Sequence, residues 1–389
     1  MKLLIYSPLS FSYGGGFERI FLQIAPRLVE AGLEVTIVAT DYTGMDNPRL
    51  SKANSYLAQR SVEYIELKSV PFLLGSPPSP IIAPTALGLL ERAVKTCDVL
   101  YFSNAYALHD VAMLALKFRY RKPAISAQHA VLFHNKLHNL YVHLISRNAI
   151  RFFDACHVLN PDDARILVRW GAKNVHCIPL GVDTERFKPP ESSRKTGKMK
   201  VVFVGRLTEQ KGLDKFIQAL ETINSDSRIQ KQIEFTVVGS GPLAGLVQAA
   251  TERNVNLRYV GAVGDNRLLQ IYHDSDLLVM PSRQETMGIV ALEAQACGLP
   301  VIVTRASGLS DIIVPGVTGT ILLRNEANEL ARAIISYVDL RSSDSARYAG
   351  MRAAARVNAQ RRFDLEQVTQ SLVRMIVEVA HRGPASDLA

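Results

Sequence analysis

The chain has 389 residues, 48% hydrophobic and 21% charged; that length exceeds one typical core and implies two domains, and the composition excludes a disordered chain. Lys and Arg number 45 against 36 Asp and Glu, a net charge of +9 with pI about 9.4, which fits an anionic ligand, a membrane surface or nucleic acid. The four cysteines, at 97, 156, 177 and 297, make no C-x-x-C pair and no metal spacing, so they read as buried thiols in a reducing compartment. The N-terminus carries an apolar run too short for a secretory leader, and no stretch approaches the length of a membrane span. The expected location is therefore cytoplasmic.

Residues 2 to 7 read as a strand, 8 to 16 as a loop ending in three glycines, 17 to 31 as a helix with apolar positions 17, 20, 21, 24, 28 and 29, and 34 to 40 as the next strand. Pro26 predicts a kink in that helix. Gly15 and Gly16 let backbone approach a ligand at the mouth of the sheet, with Glu18 at the helix start. Residues 41 to 90 are proline-rich and aperiodic and give no assignment. Residues 98 to 102 and 124 to 128 read as further strands. His129 follows the second, at the carboxyl end where open parallel sheets bind ligands, although a lone His is more often structural than catalytic.

Residues 117 to 153 hold seven Lys or Arg and no Asp or Glu. Within them His134 and His138 stand four apart, but Asn135 replaces the glutamate of a zinc-hydrolase helix and no third ligand is placed, so no metal site is expected. Residues 136 to 153 form an amphipathic helical pattern, with Leu137, Leu140, Tyr141, Leu144 and Ile145 on one face and Lys136, His143 and Arg147 elsewhere. Such a helix suits an anionic membrane or a lipid-phosphate acceptor; a core-packed helix with polar ends, or a merely solvated basic face, fits the same pattern.

A strand at 155 to 159 closes the first alternation, and 189 to 200 is a polar linker. A second alternation follows: strands at 200 to 204, 234 to 238, 256 to 260 and 277 to 280, with helices at 213 to 223, 243 to 253 and 266 to 273 between them. Helical patterns fill 326 to 382.

Three motifs sit at strand ends in this half. After the strand at 200 to 204, Gly205 permits close approach and Arg206 and Lys211 offer two cations suited to a pyrophosphate; an ion pair with Glu209 is the plainer reading. Residues 239 to 244 satisfy G-x-G-x-x-A, but a dinucleotide site needs a carboxylate for the ribose at the end of the next strand, and that strand ends in Gly261. Residues 285 to 298 read as a helix between two strands, with Glu285 at the loop and Glu293 a turn or more inside. The amides of Thr286, Met287, Gly288, Ile289 and Val290 would make a helix-start anion site between the two carboxylates. Such a row suits a polar ligand with a phosphate in its middle.

Glu285 to Glu293 (E-x7-E) with the A-C-G-L-P-V-I-V-T after it, and the earlier G-R-L-T-E-Q-K-G from Gly205 to Gly212, resemble the retaining glycosyltransferases of family 4. G-G-x-E at 15 to 18 matches the family's N-terminal loop, and the resemblance runs from Gly14 to about Gly319. It implies an α/β GT-B fold, with two Rossmann-like domains facing each other across a cleft and a C-terminal helix crossing back to the first. The boundaries this suggests are 1–183 on the acceptor side, 184–365 on the donor side and 366–389 as crossover helix and tail. The implied activity is transfer of a sugar from a UDP- or GDP-sugar to an acceptor hydroxyl, such as a lipid-linked or cell-surface glycan precursor of lipopolysaccharide or exopolysaccharide type. Arg206 and Lys211 would hold the diphosphate, Glu285 the sugar hydroxyls, Glu293 the ribose, and Gly261 and Val263 the base through backbone. His129 would contact the donor sugar, Gly15, Gly16 and Glu18 would lie near phosphates and acceptor, and Gly205 and Gly239 would shape the wall. No cofactor and no divalent metal is expected. Leu180, Met287, Ser307 and Asp311 depart from the family pattern. Rival readings are an epimerase or phosphorylase of the same fold and an NAD(P) dehydrogenase; no nucleic-acid module is recognisable.

Overall fold

The computed structural model describes residues 1–11, 16–42, 53–72, 79–103, 109–129, 131, 140, 142–191, 197–305 and 308–383. The chain divides into two compact units, Met1–Leu180 with Glu366–Ala389, and Gly181–Leu365.

The first unit is built on β1 (Lys2–Ser7), β2 (Glu34–Thr40), β3 (Glu63–Leu67), β6 (Val99–Ser103), β7 (Ala124–Gln128), β8 (Ala155–Val158) and β9 (Val175–Cys177), with β4 (Ser69–Phe72) and β5 (Ser79–Ile82) forming a separate antiparallel ribbon. The seven strands are parallel in the order β3-β2-β1-β6-β7-β8-β9. Parallel strands covered on both faces bury consecutive residues, which is why β6, β7 and β8 are uniformly buried rather than alternating. The order reverses between β1 and β6, and the loop leaving β1 at that switch point leads into the Gly16–Glu30 helix. That helix runs through Pro26 to Glu30. The core holds Tyr6, Phe102, Met113 and Phe153, with the Phe102 and Phe153 rings 4.8 Å apart. Beneath it, Lys117 Nζ lies 3.2 Å from Asp154 Oδ2, an ion pair almost fully buried, and Asp154 also accepts from the Ala124 amide at 2.7 Å.

Two expectations change here. The unassigned stretch 41 to 90 supplies β3, the ribbon and a helix at Leu87–Thr96. For residues 136 to 153, Lys136, Leu137 and Tyr141 (with His134 and His138) lie outside the described residues, and what is described is irregular: a π-turn at Val142–Ser146, then Arg147–Ala149 and a 3₁₀ turn at Ile150–Phe152. Val142, Ser146, Ala149, Ile150 and Phe153 face inward, while Leu140 and Leu144 of the expected apolar face are 53% and 62% exposed. The wider π and narrower 3₁₀ turns rotate the faces away from a regular 3.6-residue repeat.

The second unit carries β10 (Met199–Val204), β11 (Ile233–Val238), β12 (Leu257–Gly261), β13 (Leu277–Met280), β14 (Val301–Thr304) and β15 (Gly319–Leu322), all parallel in the order β12-β11-β10-β13-β14-β15. Its switch point falls between β10 and β13. Phe203, Phe216 and Phe235 pack in its core, the first pair tilted and the second edge-to-face, with ring centroids 5.3 and 5.9 Å apart. Helices at Ala327–Ser343, Ser345–Phe363 and Leu365–Arg382 follow; from Glu366 onward the last belongs to the first unit, where Arg382 donates to Asn174 Oδ1 at 3.1 Å. The two stretches at the unit boundary run side by side, with Val182 N donating to Phe363 O at 2.8 Å and Leu365 N to Val182 O at 3.0 Å. Arg356 secures the first of them, donating to the carbonyls of Thr184, Phe187 and Ala296 at 2.8, 2.7 and 3.0 Å. No described helix is long and apolar enough to cross a membrane.

Candidate functional site

In the second unit the loops leaving β10, β11, β12 and β13 meet at the carboxyl edge of the sheet. Gly205 N donates to Val238 O at 3.0 Å, Leu207 N to Ser240 O at 2.9 Å and Gly239 N to Gly261 O at 2.8 Å. The contact is backbone on backbone. Gly239 has φ +140, and a Cβ placed there would lie 1.8 Å from Gly205 O; one at Gly241 would lie 2.6 Å from Leu207 O. The glycines of the G-x-G-x-x-A stretch are therefore explained by loop packing without any dinucleotide. Gly261, where a dehydrogenase needs its carboxylate, offers only backbone, with Val263 half-buried beside it.

Lys211 and Glu285, 74 residues apart, form an ion pair at this edge. β10 and β13 are neighbours, so their loops converge whatever their separation in the chain. Arg206 is exposed, and its side chain makes no hydrogen bond or ion pair among the described residues. The helix expected over 285 to 298 is shorter, Ile289–Ala296, with Gly288 at its N-cap and no side-chain cap. Thr286 and Met287 stay in the loop because that loop packs on Gly308, where a Cβ would lie 1.6 Å from Thr286 O. Ala291 N and Leu292 N donate to Gly288 O at 2.8 and 3.2 Å, which leaves the Ile289 and Val290 amides as the donors at the helix start with no carbonyl a turn earlier. Glu293 sits in its second turn, 2% exposed, with Oε2 accepting from Tyr272 Oη at 2.8 Å.

In the first unit, Gly15 lies outside the described residues and Gly16 is the exposed first residue of its helix. Glu18 is 3% exposed; Ser7 Oγ donates to its Oε1 at 2.9 Å, and burial pushes its carboxyl up to about 7. His129 packs against Phe17, Phe21 and His157, with ring centroids 5.2, 6.2 and 5.2 Å away. Burial, and secondarily His157, hold it neutral. Its Nε2 is covered and has no hydrogen-bond partner among the described residues. His157 is itself fixed: Tyr101 Oη lies 2.5 Å from Nδ1, and Nε2 lies 2.7 Å from Ile178 O. The carbonyl can only accept, so Nε2 carries the proton and Nδ1 accepts from the tyrosine. Burial lowers this imidazole to about 4.

Sequence reasoning missed Tyr272, Tyr101, His157 and the Arg283–Asp214 pair described below. All act through contacts distant in the chain. Among the described residues no cluster of His, Cys, Asp or Glu could hold a metal ion.

Two family descriptions match consecutive parts of the chain: Glycosyltransferase Family 4 over residues 14–186 and Glycosyl transferases group 1 over residues 184–357. A D-inositol 3-phosphate glycosyltransferase of Xylanimonas cellulosilytica is 28% identical over 257 residues, 60% of this chain and 58% of that relative. The D-inositol 3-phosphate glycosyltransferase 2 of Catenulispora acidiphila is 26% identical over 361 residues, 84% of this chain and 82% of its own length. Among solved structures, Anabaena HepE in complex with UDP superimposes with a TM-score of 0.76 at 20% identity, covering 97% of this chain and 100% of HepE. HepE has also been crystallised with UDP-glucose.

Proposed function

The chain belongs to glycosyltransferase family 4 and has the GT-B fold, and from that premise we propose that it moves a sugar from a UDP- or GDP-sugar to an acceptor hydroxyl with retention of anomeric configuration. The observation that carries this reading is the interlocked edge of the second unit. There a lysine, a carboxylate and an unmade helix start converge on loops fixed by backbone hydrogen bonds. Such a cluster suits a diphosphate flanked by sugars, and HepE, of like fold, is known with UDP and UDP-glucose.

In the reaction the bond from the anomeric carbon to the distal phosphate oxygen breaks, its electron pair leaving with the diphosphate. The acceptor oxygen bonds to that carbon on the same face, and its proton passes to the departing phosphate oxygen. Lys211, Arg206 and the amides of Ile289 and Val290 stabilise the growing charge, which is electrostatic catalysis by fixed groups. Lys211 exchanges its ion pair with Glu285 for the diphosphate, freeing Glu285 to accept from sugar hydroxyls. Glu293 binds the ribose hydroxyls as an acceptor, and the backbone of Gly261 and Val263 holds the base. His129, neutral and with a covered nitrogen that has no hydrogen-bond partner among the described residues, is suited to hydrogen-bond a sugar hydroxyl. Glu18, titrating near neutrality, serves the acceptor with the Gly15 and Gly16 backbone. The acceptor we propose is a lipid-linked glycan precursor at the inner face of the cell membrane. The exposed Val111, Phe118, Leu144 and Phe152, with Arg121 and Arg147 also exposed, support contact with an anionic bilayer.

Incubation with isotopically labelled UDP- and GDP-sugars and a lipid extract tests this. Proton NMR of the first product should show the donor's anomeric configuration in a lipid-soluble conjugate. Release of free sugar only, an inverted product or an epimerised donor would overturn the reading.

A further inference from the structure

The loop holding Lys211 and the loop holding Glu285 are tied together by Arg283, which neither sequence motif includes. Arg283 Nη1 and Nη2 donate to Asp214 Oδ1 and Oδ2 at 2.7 and 2.6 Å, a two-pronged pair. The same guanidinium donates to Glu209 O, and Arg283 N donates to Gln210 O at 2.8 Å. Lys211 is thus bracketed, with its neighbours on both sides tied to Arg283. Asp214 opens the Leu213–Asn224 helix, where the dipole favours a carboxylate, and its hydrogen bond to Arg283 holds it below the usual range. Between the two anchors Gly212 adopts φ +69, and a Cβ there would lie 1.8 Å from Pro281 O. The 281–285 loop is the fixed side: Asn325 Nδ2 donates to Pro281 O at 2.8 Å, and Thr304 Oγ1 donates to Ser282 O. An ion pair with side chains 36% and 26% exposed contributes little to stability. Its placement, however, sets where Lys211 meets Glu285.

We propose that Arg283, through Asp214, is a positioning residue that sets the Lys211 loop against Glu285 and thereby tunes donor affinity; this rests on the donor-site reading above. A lysine at 283 keeps the charge but not the fork. UDP and GDP binding by calorimetry, donor KM and kcat, and melting temperature are measured for wild type, Arg283→Lys, Asp214→Asn and the exchange Asp214→Arg/Arg283→Asp. All are read at a temperature where circular dichroism shows each folded. The single variants should weaken binding of the nucleotide that wild type takes, and raise KM, by about tenfold, the loss of one oriented charged contact. Their melting temperature should move by less than about 3 °C, and the exchange, which restores the pair but not the donation to Glu209 O, should recover part of the affinity lost by the single variants. Unchanged affinity in folded single variants, or affinity lost only in step with melting temperature, overturns the proposal. If wild type binds neither nucleotide, the donor-site reading fails and takes this inference with it.

Discussion

Replacing Gly239 by alanine tests whether the donor edge depends on backbone packing between loops. A Cβ there would stand 1.8 Å from Gly205 O and 3.0 Å from Gly205 C, and the backbone has φ +140. An alanine in that conformation costs about 1–3 kcal/mol. Relieving the contact requires the Gly205 carbonyl to retreat by more than an ångström, which disturbs the Gly205 and Leu207 hydrogen bonds, at about 1 kcal/mol each. The sum is about 3–5 kcal/mol, and at 2–4 °C per kcal/mol for a unit of this size the melting temperature should fall by roughly 6–20 °C. Differential scanning calorimetry reads the shift, and nucleotide binding well below the transition should weaken at least tenfold because Arg206 and Lys211 follow Gly205. Gly245→Ala is the control: it lies in the Ala244–Arg253 helix with nothing within 4 Å of an added Cβ, so it should stabilise by about 0.5–1 kcal/mol. If Gly239→Ala melts within 1–2 °C of wild type and binds nucleotide normally, the interlock does not organise the edge.

Lys117→Met should destabilise the first unit by about 3–5 kcal/mol, because Asp154 stays buried without its counter-ion; denaturant unfolding followed by a first-unit probe such as Trp170 fluorescence measures it. His157 has a folded value near 4, below the ordinary 6.5, so its contribution to stability is present above pH 6.5 and is lost as pH falls toward 4. Between pH 7 and pH 5 wild type should lose about 2 kcal/mol relative to His157→Gln, and an equal pH dependence of the two proteins would contradict the buried neutral imidazole. Phe118→Ser with Leu144→Ser should cut binding to phosphatidylglycerol-containing vesicles on the order of tenfold in sedimentation assays, by loss of exposed apolar area; unchanged binding would remove that face from the membrane reading.

The alternation of apolar strands and amphipathic helices was legible because parallel strands bury consecutive residues, which leaves short Val, Ile and Leu runs between helical patterns. β3 was not. Glu63–Leu67 is an edge strand with a mixed burial pattern, and the proline-rich stretch around it carries no period. The Ile289–Ala296 helix was read four residues too early because Glu285, Thr286 and Met287 are acceptable helix formers, and the contact with Gly308 that keeps them in a loop is tertiary. Arg206, Lys211, Glu285 and Glu293 were found as residue types at spacings that suit a diphosphate. The pairing of Lys211 with Glu285, the hold of Tyr272 on Glu293 and the Arg283–Asp214 fork were invisible, since each joins elements 21 to 74 residues apart. The irregular turns at 142 to 152 also explain why a regular helical wheel placed Leu144 on the wrong face.

The most direct test of the central claim is donor binding and hydrolysis across UDP-, GDP- and ADP-sugars in EDTA, for wild type beside Lys211→Ala and Glu293→Ala. The account predicts that one donor class binds without metal and that both variants lose it by about a hundredfold while remaining folded. Binding of no donor by wild type, or variants indistinguishable from it, would contradict the assignment of this edge as the donor site.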